Sequence, residues 1–528
     1  MVGLFSYTVR HRRVWFSKTA SYICDIMKKI TAILLAAAIS VSWASAQNPA
    51  ARYINTLRNA NTLKEASWSV LAVKVKGDTI ANLNSRQKLI PASNTKLITT
   101  GIALNELGAD YRFKTKIAYH GKIEDGTLKG DVYIIGGGDP TIAATQDSCA
   151  TPYSKLFSSW AKMLADAGIK RIEGRIIGDG RWFDGMEVDG DWAYDDLGTY
   201  YSPGGNGLCF YENEVDFRAV PGAAVGAPVS ITQTWPETPW MSISSIAKTS
   251  KAGSGDDLLY YATEMAPVGE MRGTLGIDSG TRKEECANRY GALTCAYYFF
   301  RHLESAGISV SDGPADIDSQ RHIRSFDSET SPWAMPWDSL IVIGVSESPR
   351  LADIVSRTNH VSDNFYAETL LRATGREKAG SAAYPAALEY ELQALKRLGV
   401  DTSYGFLQDD GSGLSRRTWI TTDFFVRFLK SMRKSSVWKE YLASLPQPGK
   451  GTLSGRVNGA PQSDRSRIYM KSGSMGGVRC YSGYVLPANG KEEDTIVFSI
   501  LTNNVTAPSR ELLPQLDRLI ELIAAENR

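Results

Sequence analysis

The stretch Pro91-Ala92-Ser93-Asn94-Thr95-Lys96, running on through Leu97-Ile98-Thr99-Thr100-Gly101-Ile102-Ala103 to Gly108, decides how this 528-residue chain is read. From Ser93 onward, Leu97, Ile98, Ile102, Ala103 and Leu107 form one apolar helical stripe that Gly108 ends. Upstream, Ser69 to Val75 alternates and is rich in β-branched residues, Lys76-Gly77-Asp78 supplies a turn, and Thr79-Ile80 starts a return strand. A strand pair therefore feeds a helix whose first turn carries Ser93 and, three residues on, Lys96. Positions i and i+3 share a helix face, so the Lys96 amine reaches the Ser93 hydroxyl. The helix N-terminus adds backbone N–H groups and a dipole that favour a developing oxyanion. The same S-x-x-K spacing recurs at Ser85, Ser159, Ser245, Ser431 and Ser436, where it reads as coincidence. Only Ser93 stands at the mouth of an apolar helix directly behind a strand pair.

Other hydrolytic machinery is missing from the sequence. Beyond residue 46 there are four histidines (His120, His302, His322 and His360), and no G-x-S-x-G, H-E-x-x-H or P-loop pattern. A serine nucleophile then needs another base, and lysine serves once burial and neighbouring charge lower its pKa. A second element is Ser362-Asp363-Asn364, in a short gap between helical stretches. A hydroxyl there relays a proton to a leaving amine, and the Asn364 amide holds a substrate carbonyl. Equally, Ser362 reads as the N-cap of a helix starting at Asp363. The third element is Lys471-Ser472-Gly473-Ser474, the only K-[ST]-G in the chain. It falls on a strand expected at the centre of a C-terminal sheet. Lys471 and Ser472 projecting from a strand bind a carboxylate, and Gly473 lets a substrate backbone approach. The Ser474 N–H pairs with that of Ser93 as an oxyanion hole. A solvated lysine near a strand end is the plainer reading of Lys471.

The C-terminal sheet is read as strands Ile468–Ser474, Val478–Leu486 and Thr495–Thr502, with turns at Gly476-Gly477 and Ala488-Asn489-Gly490. A helix from Glu511 to Ala525 follows, with Leu512, Leu516, Leu519, Ile520 and Ile523 on one face. Strands at both ends predict one sheet assembled from the termini, with the middle as insertion. Residues 115–325 are glycine-rich and mainly β, interrupted by a helix from Ala292 to Ala306, and helices dominate from Pro349 to Leu398. The fold class is α/β (α+β) with a large, mainly β insertion.

The first 46 residues differ from the rest. Lys28-Lys29 precede the apolar run Ile30–Ile39, and Ala44-Ser45-Ala46 offers a cleavage point, the pattern of a secretory signal. The expected signal is Met27–Ala46, cleaved before Gln47, with translation starting at Met27; a retained N-terminal anchor is the alternative. The apolar run is too short for a comfortable membrane span. Removing residues 1–46 takes away six basic residues and one acidic one, leaving 53 against 56, a net charge of −3 rather than +2. That near-neutrality argues against a nucleic-acid partner. Of the five remaining cysteines, Cys286 and Cys295 are candidates for a bridge, but buried single thiols are the favoured reading.

Together, S-x-x-K at Ser93, S-D-N at Ser362 and K-S-G at Lys471 resemble the penicillin-binding proteins and serine β-lactamases. The chain is similar, more narrowly, to the D-alanyl-D-alanine carboxypeptidase/endopeptidases known as class C low-molecular-mass penicillin-binding proteins. That resemblance runs from about residue 50 to the C-terminus. It also rests on Gly137-Gly138-Asp139-Pro140-Thr141 and Asp410-Gly411-Ser412-Gly413-Leu414-Ser415-Arg416, and on the 269 positions separating Ser93 from Ser362. It departs from the family in having Ser472 where threonine is commoner.

The resemblance implies a catalytic domain at 47–114 plus 326–528. It also implies an inserted domain at 115–205 plus 286–325 and a second one nested at 206–285. It implies Ser93 as nucleophile, Lys96 as base, and Ser362 with Lys471 as the proton route to the leaving amine. Asn364, Ser472, Gly473 and Ser474 would bind substrate, and Asp195 and Arg416 would meet the free end of a diaminopimelate-type side chain. The resemblance further implies a peptidoglycan stem peptide as substrate, acylation of Ser93 by β-lactams, and no need for a metal or an organic cofactor, while the signal pattern implies a periplasmic location. The alternatives are a β-lactamase-like hydrolase and a catalytically silent, peptidoglycan-binding scaffold.

Overall fold

The computed structural model describes residues 48–145, 148–263, 265–317, 323–325 and 339–527. The expected signal at Met27–Ala46 lies outside the described residues. The chain divides between Asn59 and Ala60 into two units. In the first, a helix spans Pro49–Leu57; the Asn48 side chain accepts from the Ala51 N–H at 2.9 Å, and proline occupies the position whose N–H needs no partner.

The second unit is built on a five-stranded antiparallel sheet of β1 (Ser67–Lys74), β2 (Thr79–Leu83), β3 (Ile468–Met475), β4 (Val478–Val485) and β5 (Ile496–Asn503). Its order is β2-β1-β5-β4-β3, so the two ends of the sequence meet inside one sheet. β1 pairs with β5 along its full length, from Ser67 opposite Asn503 to Lys74 opposite Ile496. Every residue of β5 is buried, so this strand is covered on both faces.

Helix α1 (Lys96–Leu107) runs through the core, with every residue from Lys96 to Leu104 buried. It is surrounded by α2 (Asn364–Ala379), α3 (Tyr384–Arg397) and further helices, while α4 (Thr422–Met432) covers β1 and β5. The apolar stripe understates this burial, because Thr99 and Thr100 are inside too. Thr100 donates to the Lys96 carbonyl at 2.6 Å, which makes its hydroxyl compatible with a dry environment. A Cβ at Gly101 would lie 2.9 Å from the Phe428 ring, so only glycine lets α4 come this close. The closing helix α5 (Ser509–Ala525) buries the expected apolar residues.

The insertion leaves and returns through neighbouring strands, since Lys114–Tyr119 pairs antiparallel with Ile341–Glu347. The sequence reading gave 341–347 to the catalytic part. In the structure it is the edge of a six-stranded sheet that also contains 132–135, 176–179, 314–317 and 323–325. A helix at Tyr153–Asp166, not expected in this glycine-rich stretch, buries Phe157, Trp160 and Leu164. Between residues 214 and 287, two small sheets share a separate core that includes Val215, Phe217, Tyr260, Met271 and Leu275. Cys209, Cys286, Cys295 and Cys480 are free thiols, all buried, as the single-thiol reading expects.

Arg372 of α2 holds the insertion to the helical layer. It is fully buried, with its guanidinium 4.9 Å from the Phe183 ring and 5.4 Å from the Tyr384 ring. It donates to the carbonyls of Ala382 (3.0 Å), Asp184 (2.9 Å) and Gly205. Replacing it with methionine leaves these buried acceptors unpaired. Arg372→Met is therefore expected to cost about 3 kcal/mol of stability, read as a lower denaturation midpoint.

Candidate active site

Residues Ala92–Thr95 form a 3-10 turn that runs directly into α1. The turn is entered through Ala92 at φ +46°, a left-handed conformation that a buried alanine keeps only where its surroundings impose it. Those surroundings are visible on both sides. A Cβ on Gly413, itself at φ +82°, would sit 2.0 Å from the Ala92 carbonyl oxygen, and one on Gly473 would sit 2.6 Å from that of Pro91. The Ser93 turn is thus gripped between the 410–413 loop and β3. Gly473, expected to admit a substrate backbone, is crowded here by the chain's own.

In a 3-10 turn, residues i and i+3 lie almost in register. Lys96 Nζ is accordingly 2.9 Å from Ser93 Oγ. Nζ also lies 2.6 Å from Asn364 Oδ1 and 2.9 Å from the Ser412 carbonyl oxygen. An ammonium has three N–H bonds, and these three oxygens satisfy them. A neutral amine donates only to Asn364 and Ser412, which turns its lone pair toward the Ser93 O–H. Burial brings the Lys96 pKa down to about 8, against the upward pull of the Asp410, Glu368 and Asp363 charges. Burial thus raises the share of the form that accepts a proton, which predominates above about pH 8.

Ser362 closes a short turn at φ +66°. The helix cap is Asp363, whose side chain accepts from the Tyr366 N–H at 3.0 Å, and not Ser362. Ser362 Oγ instead accepts from Lys471 Nζ at 2.8 Å. Lys471 is fully buried and also donates to the Ser472 carbonyl at 2.8 Å. Burial, and then the nearby Lys96 charge, push its pKa well below the usual lysine range. Ser472 Oγ donates to Thr452 Oγ1 at 2.9 Å, and Asn364 Nδ2 donates to the Tyr201 carbonyl at 2.7 Å.

β3 is the edge of its sheet, not the centre expected from sequence. The reason is that the partner beyond it is not a strand: the Met470 N–H, pointing away from β4, bonds the Pro446 carbonyl. Strand period two then aims the N–H groups of Ser472 and Ser474 the same way, off the free edge. Ser474 and Ser93 line one cleft of about 620 Å³ together with Ser362 and Asn364.

Arg416 lines this cleft, beside the Gly476 turn. Asp195 does not; it is exposed, and its neighbour Asp196 faces inward and accepts from Tyr201 Oη at 2.8 Å. Of this adjacent pair it is therefore Asp196, and not Asp195, that lies on the cleft wall. The insertion supplies further acids, Glu212, Glu214 and Glu285, facing Arg357, which pairs with Glu212 at 2.9 Å. Burial, then the Glu212, Asp363 and Glu285 charges, push the Glu214 carboxyl up to about 10. Sequence reasoning did not single out these acids, Tyr201 or the Ser412 carbonyl, because none belongs to a spaced motif; the 410–416 stretch was noted only through resemblance. Asp189, Asp191 and Asp409 bring carboxylate oxygens within 4.8 Å of one another. Arg417, 2.6 Å from Asp191 and 3.9 Å from Asp409, supplies the cation there.

Comparison with known proteins follows the same lines. The sequence profile of the D-Ala-D-Ala carboxypeptidase 3 (S13) family matches residues 51–521. A D-alanyl-D-alanine carboxypeptidase of Actinomadura sp. (strain R39) is 28% identical over 450 residues, covering 82% of this chain and 77% of that enzyme. The D-alanyl-D-alanine carboxypeptidase DacB of Haemophilus influenzae is 24% identical over 489 residues, covering 89% and 93%. The crystal structure of penicillin-binding protein 4 from Haemophilus influenzae superposes with a TM-score of 0.74 at 20% identity, over 90% of this chain and 99% of that one. The fold is thus that of the penicillin-binding proteins.

The Lys96 shift has a consequence for stability. Its folded pKa, about 8, lies below the unfolded value of 10.5. Between those limits the unfolded chain holds more protons, so this group makes stability rise with pH across that window. Comparing unfolding free energies of wild type and Lys96→Met from pH 8 to 10 is expected to show wild type gaining on the variant as pH rises.

Proposed function

The chain belongs to the D-Ala-D-Ala carboxypeptidase 3 (S13) family, and from that premise we propose that it is a serine-type D-Ala-D-Ala carboxypeptidase/endopeptidase acting on peptidoglycan stem peptides. The observation that carries this reading is the 2.9 Å contact of a fully buried, pKa-lowered Lys96 amine with Ser93 Oγ. Neutral Lys96 takes the Ser93 proton as Oγ attacks the carbonyl carbon of the penultimate D-alanine. The tetrahedral oxyanion rests against the N–H groups of Ser93 and Ser474. Its collapse breaks the peptide bond, and the departing amine receives a proton through Ser362 Oγ and Lys471, which are 2.8 Å apart. Water then hydrolyses the Ser93 ester, returning the hydroxyl and releasing the shortened stem.

Lys471 and Ser472 receive the terminal carboxylate, and Asn364 orients the substrate amide. Arg416 and Asp196, both on the cleft wall, suit a side chain ending in a carboxylate and an ammonium. Penicillins, whose strained amide imitates the D-Ala-D-Ala bond, form the same ester on Ser93. The signal at Met27–Ala46 directs the protein to the periplasm, where this substrate lies; among the described residues no helix is long and apolar enough to cross a membrane.

Incubation with stems ending in D-Ala-D-Ala, followed by mass spectrometry, tests the proposal. Wild type is expected to remove one D-alanine, faster as the pH rises through about 8. Ser93→Ala is expected to lose at least about three orders of magnitude in rate. Equal activity of the two proteins overturns the assignment.

A further inference from the structure

Of the two oxygens that orient the Lys96 amine toward Ser93, one belongs to a side chain and the other to a loop. The Ser412 carbonyl keeps a fixed direction only if its loop is held. Glu368, one turn beyond Asn364 on α2 and almost fully buried, holds it. Its Oε1 accepts from the Ser412 N–H at 2.7 Å and its Oε2 from the Gly411 N–H at 3.0 Å. From the opposite side Thr99 Oγ1, on α1, donates to the Gly411 carbonyl at 2.8 Å. Asp410 closes the turn by accepting from the N–H groups of Gly413 (2.8 Å) and Ser415 (2.7 Å). A Cβ on Gly411 would lie 2.8 Å from the Ala367 carbonyl, so the loop is pressed onto α2 at the level of Glu368.

A buried carboxylate ordinarily pairs with a cation. Glu368 forms no ion pair among the described residues and spends both oxygens on two consecutive N–H groups of this loop. We infer that Glu368 is a positioning residue for Lys96, so that one face of α2 sets both acceptors of the amine: Asn364 directly, and Glu368 through the Ser412 carbonyl. Glu368 does not line the cleft. Its hydrogen bonds end on the backbone that carries the Ser412 carbonyl, so its influence falls on proton transfer from Ser93. The inference rests on the assignment of Lys96 as base.

Stopped-flow labelling of the full chain with a fluorescent penicillin separates the non-covalent Kd from the acylation rate constant. Glu368→Gln keeps the volume but turns an NH₂ toward a backbone donor. It is expected to slow acylation by about ten-fold or more while Kd stays within about two-fold. Glu391→Gln removes another buried carboxylate on the neighbouring helix without touching the 411–413 backbone, and is expected to acylate at the wild-type rate. Wild-type acylation by Glu368→Gln overturns the inference, as does a parallel loss of affinity or an equal loss in Glu391→Gln. If Glu368→Gln does not fold, Thr99→Val removes the opposing clamp and is expected to show the same selective slowing, with an unslowed rate overturning the inference. Failure of wild type to acylate at all, or undiminished labelling of Ser93→Ala or Lys96→Ala, instead refutes the hydrolase reading on which the inference stands.

Discussion

Two amines taken out of water, Lys96 and Lys471, are the constraint around which this site is organised. Burying a charged ammonium is costly unless oxygens surround it, and two buried near each other also repel. The protein meets this with five close oxygens: those of Ser93, Asn364 and Ser412 around Lys96, and those of Ser362 and Ser472 around Lys471. It also lets both pKa values fall. What is unfavourable for stability is suited to chemistry, because an amine that readily loses its proton can take one from Ser93. A second amine under the same pressure readily gives one to a leaving group.

The remaining architecture keeps those oxygens in place. Ser93 is fixed by a turn caught between the 410–413 loop and β3, and the Lys471 segment is fixed by being a sheet edge. Asn364 is fixed at both ends of its amide, by Lys96 on one side and the Tyr201 carbonyl on the other. Tyr201 belongs to the insertion, as does Trp192, whose Nε1 donates to Asp410 at 3.0 Å. The insertion therefore reaches the groups that surround the Lys96 amine, in addition to walling the cleft with acids. Arg372, binding carbonyls on both sides of the boundary, makes that contact durable.

The elements that read well from sequence are those whose signal is local. The alternation from Ser69 to Val75, the stripe from Leu97 to Leu107 and the strands beginning at Ile468, Val478 and Thr495 lie within a residue or two of where the structure has them. Gly476-Gly477 gave the hairpin between β3 and β4. What could not be read depended on tertiary neighbours. Lys471 was expected on a central strand because strand patterns carry no sheet order; only the Pro446 carbonyl opposite Met470 makes β3 an edge. Asp195 and Asp196 are indistinguishable in sequence, and only the folded chain shows the second on the cleft wall, facing the Tyr201 hydroxyl. The helix at 153–166 was hidden by glycines on either side, although Phe157, Trp160 and Leu164 carry its period. Glu368 had no motif at all, since its role depends on a loop more than forty residues away in sequence.

The central claim is that the Ser93 oxygen is the group activated by this arrangement. Peptide mapping after reaction with penicillin addresses it directly. Trypsin cuts after Lys88 and Lys96, so residues 89–96 are released as one peptide containing a single serine. Mass spectrometry should find one intact penicillin added to that peptide and none elsewhere. An adduct on the peptide carrying Ser362, or on any other, would contradict the account.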